Sequence, residues 1–395
     1  MTRGRVVVIL TASLVALTAL PLAGTGAASA VGSGSPATAP TAPGHGTWGR
    51  PIEVPHSAGV IGSGNAQFNS VSCPSAGNCT AGGYYTDSSS ANQGLVASER
   101  NGRWSAAVDL PGLAALNTYG YAQVNSVSCS SAGNCAAGGY YTTGADYVEA
   151  FVASERNGHW STAIEVPGTA ALNVRRNAWV YSVSCPPTGN CTAGGYYTDN
   201  DFNIQAFVAS QRNGRWGTVI AVPGLARLNS GGNAPVHSVS CPSAGNCTVA
   251  GEYADSASRF QAFVASERKG RWGTAIEVPG TAALNAGGVA SINWVSCSSA
   301  GNCAAGGEYA DRRARFQAFV ASERNGRWGT AIKVPGTAQL NAGGNAQVFS
   351  VSCPQAGNCA AVGYYTDRSS VMQAFAASEW NGRWITATAI KVPGV

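Results

Sequence analysis

Short runs in which apolar and polar side chains alternate cover most of the chain. In the run 271–279, RWGTAIEVP, Trp272, Thr274, Ile276 and Val278 share one parity while Gly273, Ala275 and Glu277 take the other, the period of a strand lying on a sheet face. Three runs precede it: SVSC ending at Cys241, CTVAGEY from Cys247 and QAFVASER from Gln261. Each is rich in apolar, aromatic and β-branched residues and is bounded by Gly, Pro, Asn or Ser, so each predicts a strand. No helical period follows the N-terminal segment.

This four-strand unit is repeated. Copies begin near Phe68, Val124, Val180, Val236, Ile292 and Val348, and their first cysteines, Cys73, Cys129, Cys185, Cys241, Cys297 and Cys353, stand 56 residues apart. A fixed period of this length marks stacked supersecondary units. Between the third and fourth strands lies Asn101-Gly102, repeated at 157, 213, 325 and 381, with Lys269-Gly270 as the variant. Asn-Gly accepts the positive φ of a two-residue hairpin turn. Six units of four antiparallel strands predict an all-β, six-bladed β-propeller. Small residues (Ser70, Ser72, Ala81, Gly82, Gly83) fall on the inner strands and the bulky Trp104 on the outer one, as a tapering blade needs.

Before the repeats, Arg3 and Arg5 precede an apolar run from Val6 to Leu22 and the small residues Ala28-Ser29-Ala30, which predicts a signal peptide over 1–30. Residues 31–46 are Gly, Ser, Pro, Ala and Thr without period, a flexible linker. The propeller is then expected over 47–395, with 47–55, TWGRPIEVP, copying the outer strand alone. Either that strand or the last repeat's own outer strand could close the ring. No later apolar stretch is long enough to span a bilayer, and the expectation is a secreted, extracellular monomer without a membrane anchor.

The formal charge of +5 falls to +3 without Arg3 and Arg5, and the basic residues recur at hairpins such as Arg100 and Arg103 rather than forming a groove. Nucleic acid is therefore not expected as a partner. The twelve cysteines form six C-x5-C pairs: Cys73 with Cys79, Cys129 with Cys135, Cys185 with Cys191, Cys241 with Cys247, Cys297 with Cys303 and Cys353 with Cys359. In an exported chain this even spacing predicts one disulfide within each repeat. No histidine lies beside a pair, which speaks against zinc, and no other metal or cofactor is expected.

The run CTAGGYY followed by VASERNGRW, with Gly82-Gly83 closing the second strand and Trp104 opening the fourth, resembles the kelch and galactose-oxidase-like propeller repeat. The SVSC…GNC…GG…NGxW unit is more similar to repeats of secreted actinobacterial propeller proteins. The resemblance implies a propeller from Thr47 onward. It carries over neither a copper site nor sialidase chemistry, because the hairpin holds Asn101 where an Asp-box has its aspartate.

No catalytic set stands out. His45, His56, His159 and His237 occupy unrelated positions, and no P-loop or H-E-x-x-H is present. Asp87, Asp199, Asp255, Asp311 and Asp367 follow the second strand, with Thr143 breaking the series, and are read as turn formers. The copies differ most in the loops after the second strand (87–93 and equivalents) and in the connectors (117–123 and equivalents). In a four-stranded blade both sets emerge on one face, which would then display binding loops. On it, Asp146, Glu149, Asp199 and Asp201 form an acidic sector, and Arg259, Arg312, Arg313 and Arg315 a basic one. Tyr85, Tyr141, Tyr197, Tyr253, Tyr309 and Tyr365, with Phe260 and Phe316, are candidates either for stacking on sugars or for filling the gap between blades. The expectation is a binding or scaffold module for an extracellular glycan or protein rather than an enzyme, with a polysaccharide lyase or glycoside hydrolase as the alternative.

Overall fold

The computed structural model describes residues 11–12, 54, 65–144 and 147–390. The signal peptide and linker expected over 1–46, most of the outer-strand copy 47–55, and Asp146 lie outside these residues, apart from Thr11–Ala12, which runs parallel beside Ser70 and Val71.

Six antiparallel sheets follow one another, one per repeat. In the fourth, Val236–Ser243, Asn246–Ala254 and Phe260–Arg268 are the first three strands. The fourth strand is split into Arg271–Trp272 and Ile276–Glu277, both paired with the third. The protein is a six-bladed β-propeller of four-stranded blades.

Each repeat carries its disulfide across the first hairpin. Cys73 is bonded to Cys79, Cys129 to Cys135 and Cys185 to Cys191. Cys241 is bonded to Cys247, Cys297 to Cys303 and Cys353 to Cys359. The second cysteine of each pair opens the second strand and is buried, as Cys79, Cys303 and Cys359 show in blades one, five and six. These cysteines are staples at the hairpin end of the blades and take no part in the binding face expected at the other end.

Every first strand carries a bulge, as between Val236 and Ser238, which presses its backbone onto the second strand. A β-carbon on Gly195 would lie 1.8 Å from the carbonyl oxygen of Trp179, and one on Gly251 2.1 Å from that of Pro235. This close approach explains the glycine in every copy.

The core lies between blades. Val208, Val222 and Leu225 of blade three meet Val236, Val239, Tyr253 and Phe263 of blade four. The first strands of successive blades also interlock through the SVSC serines: the Val239 amide donates to Ser182 Oγ at 3.0 Å and the Cys241 amide to Ser184 Oγ at 2.9 Å. These bonds make the first strands the inner wall around the axis.

Two features depart from the sequence reading. First, the connectors contain one-turn helices, Leu113–Leu116, Thr169–Leu172, Leu225–Leu228, Thr281–Leu284 and Thr337–Leu340. Four residues are too few to show a period, and each turn is started by a glycine at positive φ, as at Gly112, φ 78°. Second, the packing of first strand on first strand that joins the five earlier junctions is not repeated between blades six and one among the described residues. Val54 instead packs against the buried cluster of Tyr85, Leu95, Ala97 and Ala107 in blade one, as Leu110 joins the buried cluster of blade two. The outward face of blade six stays open, with Val362 47% and Ile390 46% exposed. Val362 stands where blade two has Gly138, at which even a β-carbon would lie 2.6 Å from Val180 of the next blade.

Candidate functional site

The two ends of the blades differ as the pattern of variation predicts. At one end the invariant hairpins clasp each other: the Gly102 amide donates to the Gly77 carbonyl at 2.8 Å. At the other end the diversified loops meet the connectors, with the Asn92 amide donating to the Gly120 carbonyl at 2.8 Å.

The aspartates after the second strand shape their own loops. Asp87 Oδ1 accepts from the Ser89 amide at 2.9 Å and the Ala91 amide at 3.0 Å, and Oδ2 accepts from Gln93 Nε2 at 3.0 Å. Partial burial pushes its carboxyl up, but the bonds from Ser89, Gln93 and Ala91 outweigh this and hold it below its ordinary value. Gln93 in turn accepts from Asn117 Nδ2 at 3.2 Å, and Asn117 Oδ1 accepts from the Thr142 amide of blade two at 3.3 Å. This buried asparagine, repeated as Asn173, Asn229, Asn285 and Asn341, ties each loop to the connector beside it and escaped the sequence reading because it ends an unpredicted helical turn.

The six tyrosines at the end of the second strand, Tyr85, Tyr141, Tyr197, Tyr253, Tyr309 and Tyr365, are buried between blades at 3–7% exposure. They fill the gap rather than offering a ring to solvent. Tyr253 donates to Glu277 Oε2 at 3.1 Å. Phe260 and Phe316 are half-buried at the start of third strands. Arg259 donates to the Asn285 carbonyl at 2.7 Å, and Arg315 pairs with Asp311 at 3.4 Å. Arg312 and Arg313 stand exposed.

One position earlier on the second strand, the copies diverge: Tyr84, Tyr140, Tyr196, Glu252, Glu308 and Tyr364. The bulge residue of the first strand diverges too, being Asn69, Asn125, Tyr181, His237, Asn293 and Phe349. Both sets sit on the first two strands of their blades, near the end that carries the diversified loops, which in a propeller is where the central channel opens. Asn125 and Asn293 each donate to a first-strand carbonyl of the next blade, Val180 at 2.8 Å and Val348 at 2.9 Å. His237 does likewise from Nδ1 to Ile292 at 3.1 Å, which places its proton on Nδ1.

In blades two to four the residues at the mouth form a continuous aromatic shelf. Tyr140 stacks on Trp179 with ring centres 3.9 Å apart. Tyr181 lies 5.9 Å from Trp179, 5.6 Å from Tyr196 and 6.0 Å from His237. Asn177 Oδ1 fixes two of these rings, accepting from Trp179 Nε1 and from the Tyr196 hydroxyl, both at 3.1 Å. Beyond His237 come the two carboxyls. Glu308 accepts from Asn293 Nδ2 at 2.9 Å. Burial pushes its pKa up to about 7, the Asn293 bond opposing this and the charge of Glu252 adding to it. Burial, and then Glu252, also raise the Tyr181 hydroxyl. Tyr181 is exposed and Tyr140 and Trp179 are half-buried, whereas Tyr196 is buried, so the first three offer ring surface and hydroxyls, with two unlike carboxyls at the edge. Its signal in the sequence is a set of single substitutions within otherwise constant strands, which the denser variation of the loops overshadows.

No protein-family model matches the chain, and no curated protein does. The resemblance to kelch-type and actinobacterial repeats therefore rests on the motif alone. Among solved structures the chain is similar to a polysaccharide lyase of family PL25, an ulvan lyase, at 8% identity and TM-score 0.46, covering 86% of this chain and 85% of that one. It is similar to YCF48 from Cyanidioschyzon merolae at 12% identity and TM-score 0.44, covering 85% and 87%. The Hadza microbial sialidase Hz136 matches at 10% identity and TM-score 0.39 over 81% of this chain, which spans 65% of the sialidase's length.

Proposed function

We propose that this protein is a secreted glycan-binding module whose combining site is the mouth of the axial channel. The observation that carries the proposal is the shelf of Tyr140, Trp179 and Tyr181, backed by the buried Tyr196, held by Asn177 and edged by Glu252 and Glu308. Stacked rings with fixed orientation suit the apolar face of a sugar, and the hydroxyls and carboxyls beside them suit its rim. On the same face the exposed Arg312 and Arg313 would meet acidic substituents of a longer chain or an extracellular protein, on loops held in shape by Arg259 and Arg315, and this contact would weaken with salt. Six disulfides fit an oxidising, extracellular compartment.

The test is binding of the exported protein to a panel of cell-wall and matrix polysaccharides. Trp179→Ala should weaken binding at least tenfold in a protein that stays folded, its melting temperature lowered by loss of the ring stacked on Tyr140, and Arg312→Ala/Arg313→Ala should remove most of the salt dependence. Equal binding by Trp179→Ala, or none by the parent across the panel, refutes the proposal.

A second reading is favoured by one observation, the unlike surroundings of Glu252 and Glu308. A carboxyl that keeps its proton near neutrality beside another carboxylate is the pairing that glycoside cleavage requires. Release of new sugar ends from a bound polysaccharide, abolished in Glu308→Gln, would establish a hydrolase or lyase.

A further inference from the structure

The hairpin face is uniform except at blade three, where three locks found elsewhere in the propeller are missing together. In the other five blades the Asn-Gly hairpin amide donates to the glycine carbonyl of the cysteine hairpin, as from Gly158 to Gly133 at 2.9 Å and from Gly270 to Gly245 at 2.8 Å. In the same five, an Asn-Gly or Lys-Gly amide donates to the asparagine before the second cysteine, as from Asn157 to Asn134 Oδ1 at 3.3 Å and from Lys269 to Asn246 Oδ1 at 3.2 Å. Gly214 and Asn213 make neither bond, and a β-carbon on Gly189 would have no atom within 4 Å. The third lock, formed at three of the five junctions, is an ion pair to the next blade: Arg100 with Glu155 at 3.0 Å, Arg268 with Glu323 at 2.6 Å and Arg324 with Glu379 at 2.9 Å. In this register Arg156 meets Gln211.

The cause is local sequence. Blade three reads CPPTGNC where the others read CPSAGNC, CSSAGNC or, in blade six, CPQAGNC. Elsewhere the first hairpin is paired to its tip, as Ser131 with Asn134 and Ser243 with Asn246. Pro187 occupies the corresponding place and has no N–H to give, so the ladder stops at Ser184 opposite Thr192. The tip closes on itself instead, with the Gly189 amide donating to Pro186 at 2.8 Å and Asn190 at φ 60°.

The opened hairpin leaves a cavity of about 620 Å3 between blades two and three. Amides and hydroxyls line it, among them Asn134, Asn157, Asn190, Asn213 and Thr188, and Arg156 is the one cation in its wall among the described residues. Glu155 also borders it, with Oε1 paired to Arg100 and Oε2 buried without a partner. Gln211 is occupied within the wall, donating to Ser154 Oγ at 2.7 Å, and carries no charge to neutralise Arg156.

We propose that this cavity binds a sugar bearing one carboxylate, a uronic acid, with the carboxylate on Arg156 and the ring hydroxyls on the surrounding amides. A guanidinium forks onto a carboxylate with two parallel hydrogen bonds, the volume lies in the range of small-molecule sites, and the hydroxyl and amide lining matches a polyhydroxylated ring rather than a bare anion. The site is on the opposite face from the aromatic shelf and does not depend on it.

Calorimetric titration of the exported protein with sodium glucuronate, glucose and sodium sulfate tests the proposal. Glucuronate should bind at one site per chain, with glucose and sulfate at least tenfold weaker. Gln211→Glu, which rebuilds the ion pair seen at three other junctions, should weaken glucuronate at least tenfold, as should Pro187→Ser, which restores the hairpin ladder. Trp179→Ala should leave glucuronate binding unchanged, which separates this site from the axial one. Absence of glucuronate binding up to millimolar concentration overturns the proposal, as does sulfate binding as tightly as glucuronate. Undiminished binding by either folded variant of the cavity does the same.

Discussion

Glu308 offers a quantitative test of the axial cluster. Its carboxyl is raised from 4.5 to about 7, and at about 1.4 kcal/mol per pH unit this makes the charged form about 3 kcal/mol less favourable in the folded protein than in the unfolded chain. Because the folded-state value is the higher, the stabilisation from holding the proton is complete below pH 4.5 and is lost as pH rises through 7. Glu308→Gln removes the titration while keeping an acceptor for Asn293. Urea unfolding of both proteins from about pH 4.5 to about pH 8.5 should therefore show the parent losing about 3 kcal/mol relative to the variant, the loss accumulating steadily between pH 4.5 and about 7 and levelling off above. Glu252→Gln should move that levelling-off point down by withdrawing the neighbouring charge, and the carboxyl carbon resonance of Glu308 should titrate with its midpoint there. A constant difference between parent and variant, or a midpoint near 4.5, would refute the burial and the coupling together.

Other parts of the fold are as accessible to test. Gly195→Ala, whose β-carbon meets the Trp179 carbonyl at 1.8 Å, should cost about 3 kcal/mol or more in urea unfolding, whereas Gly217→Ala, 3.2 Å from the Ser210 carbonyl, should change stability by less than about 1 kcal/mol. Replacing Cys241 and Cys247 together by Ala should cost about 2 kcal/mol from the loop freed in the unfolded chain. The intact exported protein should resist alkylation until reduced and then gain the mass of twelve hydrogens, one for each of its twelve cysteines. Arg268→Ala strands Glu323, whose side chain is 1% exposed, and should cost about 3 kcal/mol at about pH 8. Replacing both partners by Met should recover most of that loss.

The blades were legible because their determinants are local: the alternation in 271–279, the Asn-Gly hairpins and the cysteine spacing each act within a few residues. The variable face followed from which loops differ between copies. The bulge that forces Gly195 and Gly251 against a carbonyl was not legible, since a glycine in a strand says that something approaches without saying what. Asn117 and its equivalents were missed for a similar reason, because their partners come from two blades. The choice for the tyrosines turned on one residue of register: Tyr141 points into the junction with the preceding blade, and its neighbour Tyr140 stacks at the channel mouth. The open face of blade six was signalled by Val362 in place of glycine and by Trp380, 66% exposed, in place of the arginine that pairs with the next blade, but such a signal is readable only once the junction geometry is known.

The most direct measurement of the central claim is a crystal structure of the exported protein soaked with an oligosaccharide from the polysaccharide that it binds best. The expected result is a sugar ring lying on Trp179 and its neighbouring tyrosines, with a hydroxyl or amine within hydrogen-bonding distance of Glu252 or Glu308. A bound oligosaccharide that leaves the channel mouth empty and occupies only the outer loops would contradict it.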